Sequence, residues 1–405
     1  MSDIVLTDIQ NKAVDGAIKF IKNFKPHQSR SFYFINGYAG TGKTTIMKYM
    51  LDSFQRRHFR IATFTGKAAK VVKSKTGYNC QTIHSLIYTP LTDRNGNIIK
   101  WILNRAELES SDIKFIVLDE VSMVGDKMWN DLLSFNKPIV VFGDTFQLPP
   151  VSGREIFTTA MADITLTEIH RQALENPIVR LSMDIREGKG IPLGNHGDKV
   201  IKIKDLPEYF SNEEGHKLQD FEQIICGKND TRKALNDFYR KEILHIDSQL
   251  PKKDEKIIVL KNNQFRGLMN GEILTTESNV KFYNESEGIF TIITDFDKRK
   301  DEKRALSARL PFAQSKSICI SDLYDGKTRE RIMASLKREN DNRLVYKAPY
   351  LETDFAYAIT CHKSQGSQYE SGIIFDESYI FRDNKDRWLY TALTRFVDKC
   401  IIVQC

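Results

Sequence analysis

Gly37-Tyr38-Ala39-Gly40-Thr41-Gly42-Lys43-Thr44 is the stretch that decides how this chain is read. It fits the spacing G-x-x-x-x-G-K-[ST] and follows the apolar run Phe32-Tyr33-Phe34-Ile35. Behind it, Ile46, Met47, Met50, Leu51 and Phe54 recur at helical intervals. Strand, glycine-rich turn and helix in that order make a phosphate cradle. The glycines let the backbone fold tightly so that its amides face phosphate oxygens, and the helix N-terminus adds partial positive charge. Lys43 would reach the β- and γ-phosphates of a nucleotide, and the Thr44 hydroxyl would ligate Mg2+. The plain alternative, a glycine-rich turn with a surface lysine, leaves the flanking strand and helix unexplained.

Moving outward, Phe115-Ile116-Val117-Leu118 ends in Asp119-Glu120. Beside a phosphate loop, Asp119 would hold Mg2+ through water and Glu120 would position or activate the attacking water. A third run, Ile139-Val140-Val141-Phe142, ends in Gly143-Asp144-Thr145-Phe146-Gln147-Leu148-Pro149-Pro150. There Gln147 would hydrogen-bond the γ-phosphate or the attacking water. Ile61-Ala62-Thr63-Phe64 completes a first cluster of such runs. Ile224-Ile225, Ile257-Ile258-Val259-Leu260, Ile373-Ile374-Phe375 and Ile401-Ile402-Val403 form a second. Runs this apolar suit strands covered on both faces, so the expected class is α/β with two parallel sheets.

Composition bounds the answer without choosing it. The 405 residues carry 60 Lys and Arg against 53 Asp and Glu, and a net charge of +7 suits a phosphate-bearing partner without demanding one. With 41% hydrophobic and 28% charged residues, a disordered, collagen-like or membrane-bundle chain is excluded. Cys80, Cys226, Cys319, Cys361, Cys400 and Cys405 lie far apart with no C-x-x-C pair. Reduced thiols, not a zinc or disulfide framework, are the expectation. Met1-Ser2-Asp3-Ile4-Val5 lacks a signal-peptide pattern, and no apolar run approaches the ~20 residues that span a bilayer. A soluble, intracellular protein with no membrane partner is expected.

Taken in order, these motifs resemble superfamily 1 DNA helicases of the 5′-to-3′ branch, the RecD-like and phage Dda-type enzymes. Leu6-Thr7-Asp8-Ile9-Gln10 is similar to the N-terminal glutamine motif, with Gln10 as the adenine reader. Gly37 to Thr44 is similar to motif I, and Thr63-Phe64-Thr65-Gly66-Lys67-Ala68-Ala69 to motif Ia. Thr82-Ile83-His84-Ser85-Leu86 is similar to the next DNA-contacting motif. Asp119-Glu120-Val121-Ser122-Met123 resembles motif II, and Gly143 to Val151 resembles motif III. Leu166-Thr167-Glu168-Ile169-His170-Arg171-Gln172 resembles motif IV. Thr360-Cys361-His362-Lys363-Ser364-Gln365-Gly366-Ser367 resembles motif V, and Tyr390-Thr391-Ala392-Leu393-Thr394-Arg395 motif VI. Tyr38 and Phe64 stand where the family usually carries proline. The first leaves backbone phosphate binding intact. The second would either stack a base or fill the core.

The resemblance implies two RecA-like P-loop NTPase cores, residues 1–86 with 112–175 and residues 176–262 with 351–405. A small hairpin insertion would occupy 87–111 and a small SH3-like β-barrel 263–350. It implies ATP and Mg2+ between the cores, held by Gln10, Gly37, Ala39, Gly40, Thr41, Gly42, Lys43, Thr44, Thr45, Gln147, Arg171, Gly366 and Arg395. Thr44 and Asp119 would serve the metal. Lys43, Thr44, Asp119, Glu120 and Gln147 would act with Arg171 and Arg395, two arginine fingers on the γ-phosphate. Phe64, Thr65, Lys67, His84, Trp101, Thr360, His362, Lys363 and Ser364 would grip single-stranded DNA without reading its sequence. The implied activity is ATP-driven 5′-to-3′ translocation and unwinding by a monomer in a bacterial or phage-infected cytosol. Single-stranded DNA and single-strand/duplex junctions are the implied partners, with a single-strand-binding protein or replication proteins beside them.

Two segments interrupt the α/β rhythm. Asn95-Gly96 between extended stretches signals a hairpin, and Trp101 would either wedge a base pair or pack in the core. The run Asp297-Lys298-Arg299-Lys300-Asp301-Glu302-Lys303-Arg304 is mixed in sign and reads as a solvated loop. A single-core phosphotransferase would leave residues 355–403 unexplained. An ATPase that remodels protein–DNA complexes without unwinding shares nearly every feature with the helicase.

Overall fold

The computed structural model describes residues 5–92, 98–110, 112–150, 153–169, 175–204, 206, 218–248, 251–260, 270–276, 281–284, 289–291, 294–295, 318–320 and 351–405. Arg171, the Asn95-Gly96 turn, the 297–304 charge run and most of 263–350 lie outside them. Two compact units emerge: Met1–Thr89 with Ile102–Gly227 and Thr360–Cys405, and Pro90–Trp101 with Lys228–Ile359.

The first unit contains two sheets. One is built from β1 (Phe32–Gly37), β2 (Phe59–Thr63), β3 (Cys80–Thr82), β6 (Phe115–Asp119), β7 (Ile139–Gly143) and β8 (Ile164–Leu166); β4 (Tyr88–Thr92) and β5 (Ile98–Leu103) pair with each other as a separate ribbon that falls largely in the second unit. The strand order is β3-β2-β6-β7-β1-β8, all parallel. Its central strands β1, β6 and β7 are buried almost throughout because both faces are covered. Ile116, Leu118, Ile139 and Val141 pack in one buried cluster with Phe34 and Trp129, and Phe115, Val117, Val140 and Phe142 in another. The second cluster takes Ile46, Met47, Met50 and Leu51 from α2 (Lys43–Asp52), and Ala13 and Ala17 from α1 (Asp8–Asn23). α3 (Gly66–Thr76), α4 (Ile83–Ile87), α5 (Arg105–Leu108) and α6 (Asp126–Leu133) complete this half. α3 is capped by Thr65 and terminated by Gly77, at a left-handed φ of 76°.

In the second sheet of this unit the neighbours run β11-β20-β21-β10-β9. These are β9 (Gly194–His196), β10 (Val200–Ile203), β11 (Gln223–Cys226), β20 (Tyr369–Asp376) and β21 (Phe396–Gln404). β11, β20, β21 and β10 are parallel, and β9 is antiparallel at the edge. Two helices lie against β21, α7 (Pro177–Arg186) and α10 (Lys385–Leu393). α7 begins with an Asn176 cap and Pro177, a start its sequence encodes locally.

Among its described residues, the second unit holds α8 (Asn229–Phe238) and a mixed seven-stranded sheet. Its strands are β12 (Lys256–Val259), β13 (Ile273–Thr276), β14 (Lys281–Asn284), β15 (Ile289–Thr291), β16 (Thr294–Asp295), β17 (Ile318–Ile320) and β18 (Leu351–Phe355). The order is β14-β15-β17-β18-β12-β13-β16. The expectation for Ile257–Leu260 is corrected here, because β12 pairs antiparallel with both β13 and β18 instead of joining a parallel sheet. An apolar run reports that a strand is covered on both faces, not which way its neighbours point. Among the described residues of this unit, Arg232 pairs with Asp354 at 2.6 Å and Arg240 with Glu255 at 2.7 Å, both buried. The chain leaves it through β19 (Ala358–Thr360) and enters α9 (Cys361–Ser364).

Candidate nucleotide site

The loop after β1 is shaped by its glycines. Gly40 and Gly42 adopt left-handed φ values of 80° and 79°. A Cβ at Gly37 would lie 2.8 Å from Thr41 Oγ1 and 3.2 Å from Lys43 Cγ, so a larger residue does not fit. Thr41 is buried and its hydroxyl donates to the Tyr38 carbonyl at 2.9 Å. α2 starts at Lys43 with no side-chain cap, which leaves its first-turn amides, those of Thr44 and Thr45 included, for an anion. The Lys43 ammonium donates to the Gly37 and Tyr38 carbonyls at 2.7 and 3.0 Å. Gln10 is placed beneath this loop: Nε2 donates to the Thr41 carbonyl at 3.0 Å, and Oε1 accepts the Thr7 amide at 3.0 Å in a capping box. It therefore braces the loop through its backbone.

Across the sheet, β6 ends in the acidic pair. Asp119 is buried and accepts the Glu120 amide at 3.0 Å. Burial and the Glu120 charge push its carboxyl above the usual carboxylate range, while the Lys43 ammonium pulls the other way. Lys43 and Asp119 thus feel one another, as one site requires. Glu120 sits at a φ of 53°, a left-handed conformation that non-glycine residues adopt at a cost. After β7, Gln147 is buried and its Oε1 has no hydrogen-bond partner among the described residues. Such an orphan acceptor suits a water or another donor brought by a ligand.

From the second sheet, α10 reaches this loop directly. The Tyr390 hydroxyl accepts the Ala39 amide at 3.0 Å and donates to an Asp144 carboxylate oxygen. Burial, with Asp144 next to it, pushes the phenol far above its ordinary range, so it keeps its proton. Thr391 Oγ1 accepts the Leu148 amide at 2.9 Å, and Gln365 Nε2 donates to the Leu148 carbonyl at 3.1 Å. Arg387 donates to the Gln147 and Thr145 carbonyls at 2.9 and 3.1 Å and pairs with Glu155 at 2.6 Å. Sequence reading left Tyr390, Thr391, Gln365 and Arg387 without roles, although three of them stand inside its quoted motifs.

Arg395 is placed differently from Tyr390. Its buried guanidinium donates to the Thr391 and Ser367 carbonyls at 3.0 and 3.3 Å and to Thr394 Oγ1 at 3.2 Å. Gly366, at a φ of 72°, lies so close to the first sheet's α3 that a Cβ would stand 2.6 Å from Thr65 Oγ1 and 2.9 Å from Ala68 Cβ.

The residues expected to grip DNA divide by what their side chains already do. Phe64 is partly buried and packs against the core cluster under the first sheet. Thr65 accepts the Ala68 amide as the cap of α3, and Ser364, fully buried, donates to the Cys361 carbonyl at 2.7 Å. Thr360 is buried as well. The Lys67 ammonium lies 3.8 Å above the Tyr369 ring centroid. His84 and His362 stand beside Tyr88 and Phe381, at 4.8 and 5.7 Å, and burial lowers the pKa of each. Lys363 is half-buried. In the other unit, Trp101 is 39% exposed on β5. Among the described residues no three metal-ligating side chains cluster, five cysteines are free, and no helix is long and apolar enough to cross a membrane.

Comparison with known proteins fits this geometry. Residues 24–200 match the AAA domain family, and residues 355–403 match the UvrD-like helicase C-terminal domain. The ATP-dependent RecD2 DNA helicase of Deinococcus radiodurans is 32% identical over 181 residues, 42% of this chain and 24% of that protein. The ATP-dependent DNA helicase dda of Enterobacteria phage T4 is 28% identical over 276 residues, 60% of this chain and 58% of that one. The chain therefore spans about a quarter and under three fifths of these two relatives. The crystal structure of Bacteroides Pif1 bound to ssDNA superposes with a TM-score of 0.55 at 17% identity, over 99% of this chain and 93% of that one. Fold and matched domains together define a P-loop protein with a helicase-type C-terminal module. More narrowly, the chain is similar in sequence to the superfamily 1B helicases RecD2 and Dda over part of their length, and its fold is similar to that of Pif1.

Proposed function

We propose that this chain is an ATP-dependent DNA helicase that moves 5′-to-3′ on single-stranded DNA and opens duplex ahead of it. The observation that carries the reading is the contact of the Tyr390 hydroxyl, from the second sheet, with the Ala39 amide of the phosphate loop. A nucleotide in that loop would be felt by both halves. The similarity to the ATP-dependent DNA helicases RecD2 and Dda, and the single-stranded DNA in the Pif1 crystal, support the same activity here.

The proposed work divides among named residues. Loop amides and Lys43 bind the phosphates, Glu120 orients the attacking water, and the Gln147 Oε1 accepts from it. Thr44 and Asp119 offer the hard oxygen donors that Mg2+ prefers, and the ion would supply charge neutralisation at the phosphates. Arg171 and Arg395 are proposed to stabilise charge on the γ-phosphate; for Arg395 this requires its guanidinium to leave the carbonyls of Thr391 and Ser367. Binding of ATP draws the two halves together and hydrolysis releases them, which shifts the grip on DNA by one step per cycle. Lys67, Lys363, His84 and His362 are the proposed backbone contacts, with the buried hydroxyls of Thr360 and Ser364 shaping the surface. The 87–111 hairpin, through Trp101, is proposed to split the duplex, and the 263–350 insertion to enclose the strand. A single-strand-binding protein and a bacterial or phage-infected cytosol complete the proposal.

Duplexes with a 5′ or a 3′ overhang, offered with ATP and Mg2+, test it. Opening of the 5′-tailed duplex, with single-stranded DNA stimulating ATPase, is expected. Opening of the 3′-tailed duplex alone would overturn the direction. DNA-stimulated ATPase without any opening would favour a remodelling translocase.

A further inference from the structure

One guanidinium at the phosphate loop belongs to none of the motifs. Arg186 ends α7, its side chain is 12% exposed, and Nη1 donates to Asp144 Oδ1 at 2.9 Å. Its Cζ lies 3.6 Å from the centroid of Tyr38, the second residue of the phosphate loop, and 4.6 Å from that of Phe146. The same Asp144 carboxylate accepts from the Tyr390 hydroxyl, whose oxygen in turn accepts the Ala39 amide. A closed ring of contacts results: Arg186 to Asp144, Asp144 to Tyr390, Tyr390 to Ala39, and back through Tyr38 to the guanidinium.

We propose that Arg186 is a positioning residue of the nucleotide site: clamped to Asp144 and stacked on Tyr38, it holds the Tyr390 hydroxyl at the Ala39 amide and so sets how tightly a triphosphate, as distinct from a diphosphate, is gripped. The proposal rests on the reading of this loop as a nucleotide site. Amides at the start of α2 serve the inner phosphates, as helix N-termini do. Ala39 lies in the same loop, where α10 meets it, so its placement would set the loop from which Lys43 reaches the outermost phosphoryl group. Asp144 can hold Tyr390 in one place because its own desolvated charge is paired. Without the guanidinium, a buried carboxylate would be left uncompensated and the phenol free to shift. The planar fork matters as much as the charge, since it bonds the carboxylate in its plane while stacking on a ring.

The test compares binding of fluorescent ADP and of a fluorescent non-hydrolysable ATP analogue to the full chain, alongside ATPase kinetics and melting temperature. Arg186→Lys keeps the charge and loses the stacked fork. Its affinity for the triphosphate analogue should fall about tenfold with ADP affinity held within about twofold, kcat falling as well. Tyr38→Leu, which leaves no buried charge unpaired, should give the same selective loss at a smaller size, about threefold. Tyr390→Phe combined with Arg186→Lys should cost no more than the larger single change, because both act at one contact. Equal loss of both nucleotides together with a lowered melting temperature would make Arg186 a purely structural brace and overturn the proposal, as would wild-type discrimination in Arg186→Lys. A wild-type chain that binds neither nucleotide would instead overturn the nucleotide reading itself.

Discussion

The two sheets of the motif-bearing unit bring different materials to the same loop. The first brings chiefly backbone, two left-handed glycines and the uncapped start of α2, together with the buried acid Asp119 at the end of β6. The second brings side chains, Tyr390, Thr391, Gln365, Arg387 and Arg186, each bonded to a backbone group or carboxylate of the first. Backbone function is written compactly, because a tight turn needs its glycines in a row. Side-chain function is dispersed, because distant segments need meet at one place only after folding. The contrast predicts that damage to the first half abolishes chemistry outright, while damage to the second uncouples it.

The largest effect is expected from Lys43→Ala. Its ammonium contacts two loop carbonyls and influences Asp119, so its loss removes the charge proposed to face the phosphates. ATPase activity should fall about a thousandfold while the melting temperature moves little. Steady-state ATPase assays beside a thermal melt check this. Preserved hydrolysis would break the assignment of phosphate chemistry to the first sheet.

Arg395→Ala is the next test and the one that most sharpens the comparison. A guanidinium that reaches the γ-phosphate should cost about a hundredfold or more in kcat, with ADP affinity unchanged. One that stays on the carbonyls of Thr391 and Ser367 should instead cost stability and little kcat. Measured together with the Arg186 variants, it tells which arginine of the second half acts on the nucleotide.

How much of this was readable in the chain obeys the same division. Four of the first sheet's six strands were legible, among them Phe32–Ile35, Phe115–Leu118 and Ile139–Phe142, whose runs are continuous and largely buried, while the short β3 and β8 were not. The loop and the acidic pair were legible for a local reason, a fixed spacing. Arg186 carried no such signal: it ends an ordinary amphipathic helix, and only the approach of Asp144 and Tyr38 gives it a place. Ile257–Leu260 was legible as a buried strand and misassigned to a parallel sheet, since burial erases the alternation that distinguishes one-faced strands. The reading of Gln10 as an adenine contact was equally local, and its bonds to Thr7 and Thr41 depend on where α1 lies against the loop.

Stability tests extend the contrast to the cores. Gly372, in β20, has no room for a side chain: a Cβ there would run into the Phe396 ring and the Gln223 carbonyl. Gly372→Ala should destabilise by about 1–3 kcal/mol, the usual cost of overpacking, and urea titration should show it. Gln10→Ala removes half of a capping box and the bond to Thr41. A loss of about 1 kcal/mol is expected, with weakened nucleotide binding because the loop loses its brace. Lowered stability with unchanged nucleotide affinity would limit Gln10 to capping α1.

The smallest effect concerns pH and the two histidines. Burial holds His84 and His362 below their ordinary pKa of 6.5, so the folded protein keeps both rings neutral where the unfolded chain begins to protonate them. Below that value the unfolded state binds more protons, and stability falls as the pH is lowered. It is fully present above 6.5 and declines from there toward the depressed pKa values of the folded state. His362→Phe keeps a ring against Phe381 and removes one titrating group. The slope of melting temperature between about pH 7 and about pH 5 should therefore flatten in the variant. An unchanged slope would mean that the His362 ring takes up its proton as readily in the folded chain as in the unfolded one.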